Sequence, residues 1–123
     1  MEVISRDECE PFTTLDGSTI REIASPRNSS LKNTSLAEAT VPPGMRTKRH
    51  YHKASEEVYY ILEGRGVMWL EGEEREVGPG DAVVIPPGRS HQIFNPGPGD
   101  LVFLCICSPP YEHEDTVLIE RAE

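Results

Sequence analysis

Three histidines and one glutamate carry the densest potential chemistry in this sequence. His50-Tyr51-His52 sets two imidazoles two residues apart. In an extended strand, residues i and i+2 point to the same face, so both rings can converge on one point. A neutral imidazole nitrogen suits Zn, Fe, Ni, Cu or Mn. Glu57 follows five residues on, at the head of the apolar run VYYIL, where a carboxylate can enter from a neighbouring position. His91 opens the stretch HQIF after a Pro-Pro-Gly turn. An isolated His-x-His has a plainer alternative, two exposed or hydrogen-bonded histidines, so the elements around it decide.

Those elements read as short strands. Ser35–Val41, Val58–Leu62, Val67–Leu70, Arg75–Val77, Ala82–Ile85, His91–Phe94 and Leu101–Ile106 are mostly rich in β-branched or aromatic residues. The segments between them, such as Glu63-Gly-Arg-Gly66, Gly78-Pro-Gly80 and Asn95-Pro-Gly-Pro-Gly99, are turn sequences. The 11 prolines and 10 glycines fall between the apolar runs rather than in a low-complexity tract. No helical period follows Ser35, and about seven evenly spaced strands predict an all-β sandwich or barrel. Ahead of Ser35 the chain is polar, with turns at Leu15-Asp-Gly-Ser18 and Ser25-Pro-Arg-Asn-Ser29 and a short strand over Ile20–Ile23.

Spacing extends beyond the histidines. Gly44, five residues, His50-x-His52, four residues, Glu57, six residues, Gly64 resembles the first motif of the cupins without a departure. Gly80, five residues, Pro86-x-Gly88, two residues, His91, three residues, Asn95 resembles the second, also complete. On this basis the chain is identified as a small stand-alone single-domain cupin. The resemblance implies a double-stranded β-helix, a jelly-roll barrel holding one divalent transition metal (Zn, Mn, Fe, Ni or Cu) on His50, His52, Glu57 and His91. The motif spacing selects Glu57 over Glu56, and parity agrees, since Glu57, Tyr59 and Ile61 share a face. Three neutral nitrogens and one carboxylate leave a divalent centre near +1, and an octahedral ion keeps two positions open.

Around the ligands, Tyr59, Ile61 and Ile93 share faces with them and are expected to line the cavity. Phe103 and Cys105, with Cys107, form one of two faces of the run Leu101–Ile106 and its continuation that can do the same. Arg46 and Lys48 precede His50 by even steps and make a candidate cationic rim for an anionic substrate, with solvated surface charge as the alternative. The matched motifs contain no spare acid or base, which leaves Tyr59 and His113 as catalytic candidates beside a metal-bound hydroxide. The tail Ser108–Thr116 is expected to fold back and bring Tyr111 or His113 to the mouth, a solvated acidic tail being the alternative.

The domain reading is an N-terminal arm at 1–33, exchanged between subunits of a homodimer, a barrel at 34–108 and a tail at 109–123. Exposed jelly-roll edges favour such pairing. A net charge of −9 argues against nucleic-acid and anionic membrane partners. No run reaches the ~18 apolar residues of a membrane span, and the polar start lacks a signal peptide, so the expected location is the cytoplasm. Cys9, Cys105 and Cys107 are an odd set without a secretion signal, expected as free thiols; a redox or auxiliary-ligand role is the alternative for the last two. The functional expectation is a small-molecule enzyme of isomerase, cyclase or lyase type using the metal as Lewis acid. A metal-dependent dioxygenase and a non-catalytic binding or sensor module are the alternatives.

Overall fold

Alternation along the strands builds two facing sheets, each with one side turned inward. The structure, a computed structural model, describes residues 1–119. One sheet has six strands in the order β1 (Phe12–Thr13), β2 (Thr19–Ala24), β3 (Ser35–Val41), β10 (Leu101–Ser108), β5 (Glu56–Glu63) and β8 (Ala82–Ile85). The other has five: β11 (Thr116–Leu118), β4 (His50–His52), β9 (His91–Phe94), β6 (Gly66–Leu70) and β7 (Glu73–Val77). All the pairings are antiparallel. This is a jelly-roll barrel. Short 3-10 turns at Arg6–Glu8 and His113–Asp115 are the helical pieces among the described residues.

The inward faces make the core. Ala39 and Val41 on β3, Tyr59 and Ile61 on β5, Met68 on β6, Ile93 on β9, and Leu101 and Phe103 on β10 are all buried and pack as one cluster. On β5 the alternation is regular: Glu57, Tyr59 and Ile61 are buried while Glu56 and Tyr60 are exposed. Burial of such side chains stabilises the fold by roughly 1.5–3 kcal/mol each, which pins the register. A slip of one residue would turn Glu57 outward.

Two residues of the repeated spacing serve the backbone rather than the chemistry. Gly64 sits at φ +81°, and a Cβ there would run into the Asp100 carbonyl, so the turn into β6 admits only glycine. Asn95 is buried, and its amide donates to the Val41 and Gly99 carbonyls, both at 2.8 Å. Its backbone pairs with Met45 and Gly44, closing the segment before β4 onto the end of β9. Buried Thr47 continues that seam, its hydroxyl accepting the Ile93 N–H at 3.1 Å.

Most strands agree with the sequence expectation, β5, β7 and β10 running one to two residues further than expected. Two elements differ. β1 pairs with β2, the strand expected over Ile20–Ile23, at the edge of the six-stranded sheet, and β11 from the tail adds to the five-stranded sheet beside β4, in register Thr116 to His52 and Leu118 to His50. Neither two-residue β1 nor three-residue β11 is long enough to show an apolar period.

Candidate metal centre

The five-stranded sheet supplies three imidazoles. His50 and His52 point inward from β4, and His91 lies directly opposite His50 on β9. Ring centroids are 4.3 Å apart for His50 and His91, 5.2 Å for His50 and His52, and 5.6 Å for His52 and His91. Their nearest ligand atoms all lie within 4.8 Å of one another. The carboxylate of Glu57 enters from β5 of the opposite sheet, with Oε1 3.1 Å from His52 Nε2 and 3.5 Å from His91 Nε2. All four side chains are buried.

The outer nitrogens are spoken for. His50 Nδ1 donates to the Lys48 carbonyl at 2.8 Å and His91 Nδ1 to the Arg89 carbonyl at 3.0 Å, since a carbonyl can only accept. The Thr116 hydroxyl donates to the Glu112 carbonyl at 3.0 Å, so at 3.1 Å it accepts from His52 Nδ1. Every Nδ1 therefore carries its proton outward and every Nε2 faces the shared point. His91 Nε2 is buried with no hydrogen-bond partner, a costly state for a polar atom unless something fills the gap. A divalent transition metal fits this donor set, and second partners of this kind orient histidine ligands.

Electrostatics separates the four groups. Burial, then the charge of His91, pushes His50 down to about 4. Burial also works against protonation of His52, but the hydrogen bond and charge of Glu57 outweigh it and hold His52 above its ordinary value. For Glu57, burial favours the neutral acid, yet the hydrogen bond with His52 and the nearby charge of His52 and His91 prevail and keep the carboxylate well below the usual range. Without an ion, the centre thus pairs an ionised carboxylate with a His52 that holds its proton more tightly than His50 does.

A cavity of about 560 Å³, counting its open mouth, reaches from this centre to the surface. Tyr59, Phe103 and Cys105 line it, as does Cys107. The Cys107 thiol donates to Glu57 Oε2 at 3.4 Å. Burial, then the charge of Glu57, raises both Cys105 and Cys107, so they stand there as thiols. Tyr59 is raised well above 10 by the same two causes, which makes it a hydrogen-bond donor rather than a base.

Other candidates stand elsewhere. Ile61 and Ile93 are fully buried in the core beneath the centre. Arg46 and Lys48 do not reach the cavity. Residues before β4 do not form a regular strand, so even spacing from His50 does not fix their direction; both are exposed, and Arg46 lies over the Phe94 ring at 4.8 Å. His113 is exposed, and its Nδ1 bonds the Tyr111 hydroxyl at 3.0 Å. Tyr111 itself lines the cavity, its hydroxyl also 3.0 Å from Thr14 Oγ1.

The arm supplies what the sequence did not flag. Thr14, Asp16, Ser18, Ile20 and Glu22 all line the cavity. Asp16 Oδ1 accepts from the Ser18 N–H at 2.9 Å and its hydroxyl at 2.6 Å, leaving Oδ2 3.7 Å from His50 Nε2. Leu15-Asp-Gly-Ser18 carries only a turn signal, and nothing local in it marks a cavity residue.

Comparison with known proteins gives the family. An uncharacterized protein of Methanocaldococcus jannaschii is 50% identical over 114 residues, covering 93% of this chain and 91% of its own. An oxalate-binding protein of Thermotoga maritima is 39% identical over 71 residues, covering 58% of this chain and 59% of its own. Among solved structures, the polyketide cyclase RemF from Streptomyces resistomycificus superposes with a TM-score of 0.83 at 25% identity, over 100% of this chain and 88% of its own. The family model described as the cupin domain matches residues 37–107, more than half of the chain, and this chain belongs to the cupin family.

Proposed function

We propose that this protein is a metal-dependent enzyme acting on a small oxygenated molecule, with His50, His52, Glu57 and His91 as ligands of one divalent transition metal. The observation that carries the reading is His91 Nε2, buried and unpartnered among two further imidazoles whose outer nitrogens are already engaged. A bound ion supplies Lewis-acid polarisation of a substrate oxygen, as isomerase, cyclase and lyase chemistry requires.

The chain's own groups do the rest. Cys107 and the two histidines beside Glu57 hold its carboxylate ionised and oriented. Tyr59, kept protonated, offers an O–H beside His91, their rings 5.9 Å apart. Phe12, Ile20 and Phe103 give the cavity apolar wall that limits water around the reacting group. A binding role without turnover is the second reading, supported by the Thermotoga relative named for oxalate binding.

Elemental analysis after loading with Zn, Mn, Fe, Ni or Co tests the proposal. It expects close to one ion per chain; uptake below ~0.1 per chain would overturn it. Turnover of a carbonyl or hydroxylated substrate panel by the loaded protein separates enzyme from binder. The same proposal takes the chain as a homodimer. The exposed edges at β8 and β7 support it, and a monomer by light scattering would refute it.

A further inference from the structure

The four ligands set where an ion sits; the remaining wall of the cavity sets what can approach it. Three carboxylates, Asp16, Glu22 and Glu57, line that wall, and among the described residues no lysine or arginine does. Glu22 is neutralised: Arg27 grips both its oxygens, Nε to Oε1 at 2.9 Å and Nη2 to Oε2 at 2.6 Å. Arg27 otherwise turns outward to the Tyr111 carbonyl and Glu112. Glu57 belongs to the ligand set. Among the described residues, Asp16 alone brings a charge that no lysine or arginine meets; its side-chain contacts are Ser18 and the His50 ring.

The sum is simple. A divalent ion on three neutral imidazoles and Glu57 carries about +1, and Asp16, only 13% exposed, brings the inner cavity to about zero. A ligand with two negative charges would satisfy one at the ion and press the other against Asp16 in a partly desolvated space, where repulsion is strong. Oδ2 of Asp16 makes no hydrogen bond to Ser18 and is instead open as an acceptor, in a cavity that Thr14 and Ser35 also line, while Phe12, Ile20 and Phe103 offer an apolar face.

Resting on the metal reading above, we propose that this cavity takes an uncharged, hydroxyl-bearing small molecule and turns dianions away, with Asp16 as the residue that sets this choice. The ligand donates a hydroxyl to Asp16 Oδ2 and lays its less polar side on the aromatic wall. Phosphate esters and dicarboxylates are disfavoured because, among the described residues, no lysine or arginine lines the cavity to meet the second charge.

The test uses one skeleton at three charges: oxalate, oxamate and oxamide, titrated into the cobalt-loaded protein and its Asp16→Asn variant by calorimetry. Asn keeps the acceptor that holds Ser18, and Asp16→Ser makes the same charge change should Asp16→Asn not fold. The gain on removing the charge should be graded, on the order of tenfold for oxalate, about threefold for oxamate and none for oxamide. Unchanged or weaker oxalate binding, or one equal factor for all three, overturns the proposal. Loss of cobalt by a folded variant also overturns it, since Asp16 would then be a ligand. Failure of the unaltered protein to take up cobalt overturns the metal reading instead.

Discussion

The histidines and the wall facing them reach the cavity by different routes. His50, His52 and His91 ride on β4 and β9, and simple strand parity turns them inward. Asp16 sits in a turn of the arm, tied to the segment before β4 by the Lys48 N–H on its carbonyl at 2.7 Å. Tyr111 lies in the tail, its N–H on Ser35 Oγ at 2.9 Å. The first set is fixed by the barrel's own ladder; the second depends on contacts between the chain's two ends and that barrel. A fold assembled this way can keep its histidine cluster while the arm and tail vary what faces it.

The largest effect should come from cutting the first set. Metal-binding free energies of roughly 10–16 kcal/mol shared over four ligands make each worth ~2.5–4 kcal/mol, on the order of a hundredfold or more in affinity. His91→Ala should lose that much in a competition titration while Tyr111→Phe on the wall leaves it unchanged. Equal losses from both would erase the distinction between centre and wall.

Next is the pH response of the metal-free protein. His50 has a folded value of about 4 against 6.5, so the unfolded chain binds its proton first. The stability this contributes is full above about pH 6.5 and is lost as pH falls towards 4, up to about 3 kcal/mol in total. Denaturant midpoints in a chelator at pH 7 and pH 4.5 should show the loss, and His50→Gln should flatten it. His52, raised in the folded state, acts in the opposite sense: its contribution is complete below about 6.5 and fades as pH rises. A flat profile in the unaltered protein would mean that the His50 pocket is wetter than its burial indicates.

Thr116 joins the two regions, because a tail residue holds a centre residue. Thr116→Val removes the acceptor for His52 Nδ1 at nearly constant volume. Metal affinity should fall roughly 10- to 100-fold, the usual worth of such a second partner. A fall beyond that of His91→Ala would place the tail inside the centre, and no change would confine it to the wall.

The sequence made the centre legible and the wall nearly invisible, for a physical reason. Strand parity is local: His50 and His52 share a face whatever lies elsewhere, and the glycine and asparagine spacing marks the turns, as Gly64 and Asn95 illustrate. The cavity's other side depends on where β2 meets β3 and where β11 meets β4, pairings that bring Thr14 to Tyr111 across 97 residues of sequence. No local pattern encodes such a meeting. The tail held a partial signal, since Tyr111 and His113 both stood out, yet only Tyr111 lines the cavity while His113 steadies it from outside.

The smallest effect belongs to the rim that even spacing suggested. Parity arguments need continuous extended backbone, and between Val41 and His50 that condition fails: Pro42-Pro-Gly44 turns the chain, and Arg46 makes a single isolated bridge to Phe94. Arg46 instead covers the Phe94 ring on the outer surface, a contact worth about 0.5–1 kcal/mol at an exposed site. Arg46→Ala should therefore cost about that much stability in a denaturant titration and leave oxalate affinity of the cobalt-loaded protein unchanged. Lys48→Ala should leave both nearly unaltered. A clear drop in oxalate affinity from either would return a cation to the cavity's approach and open it to dianions despite Asp16.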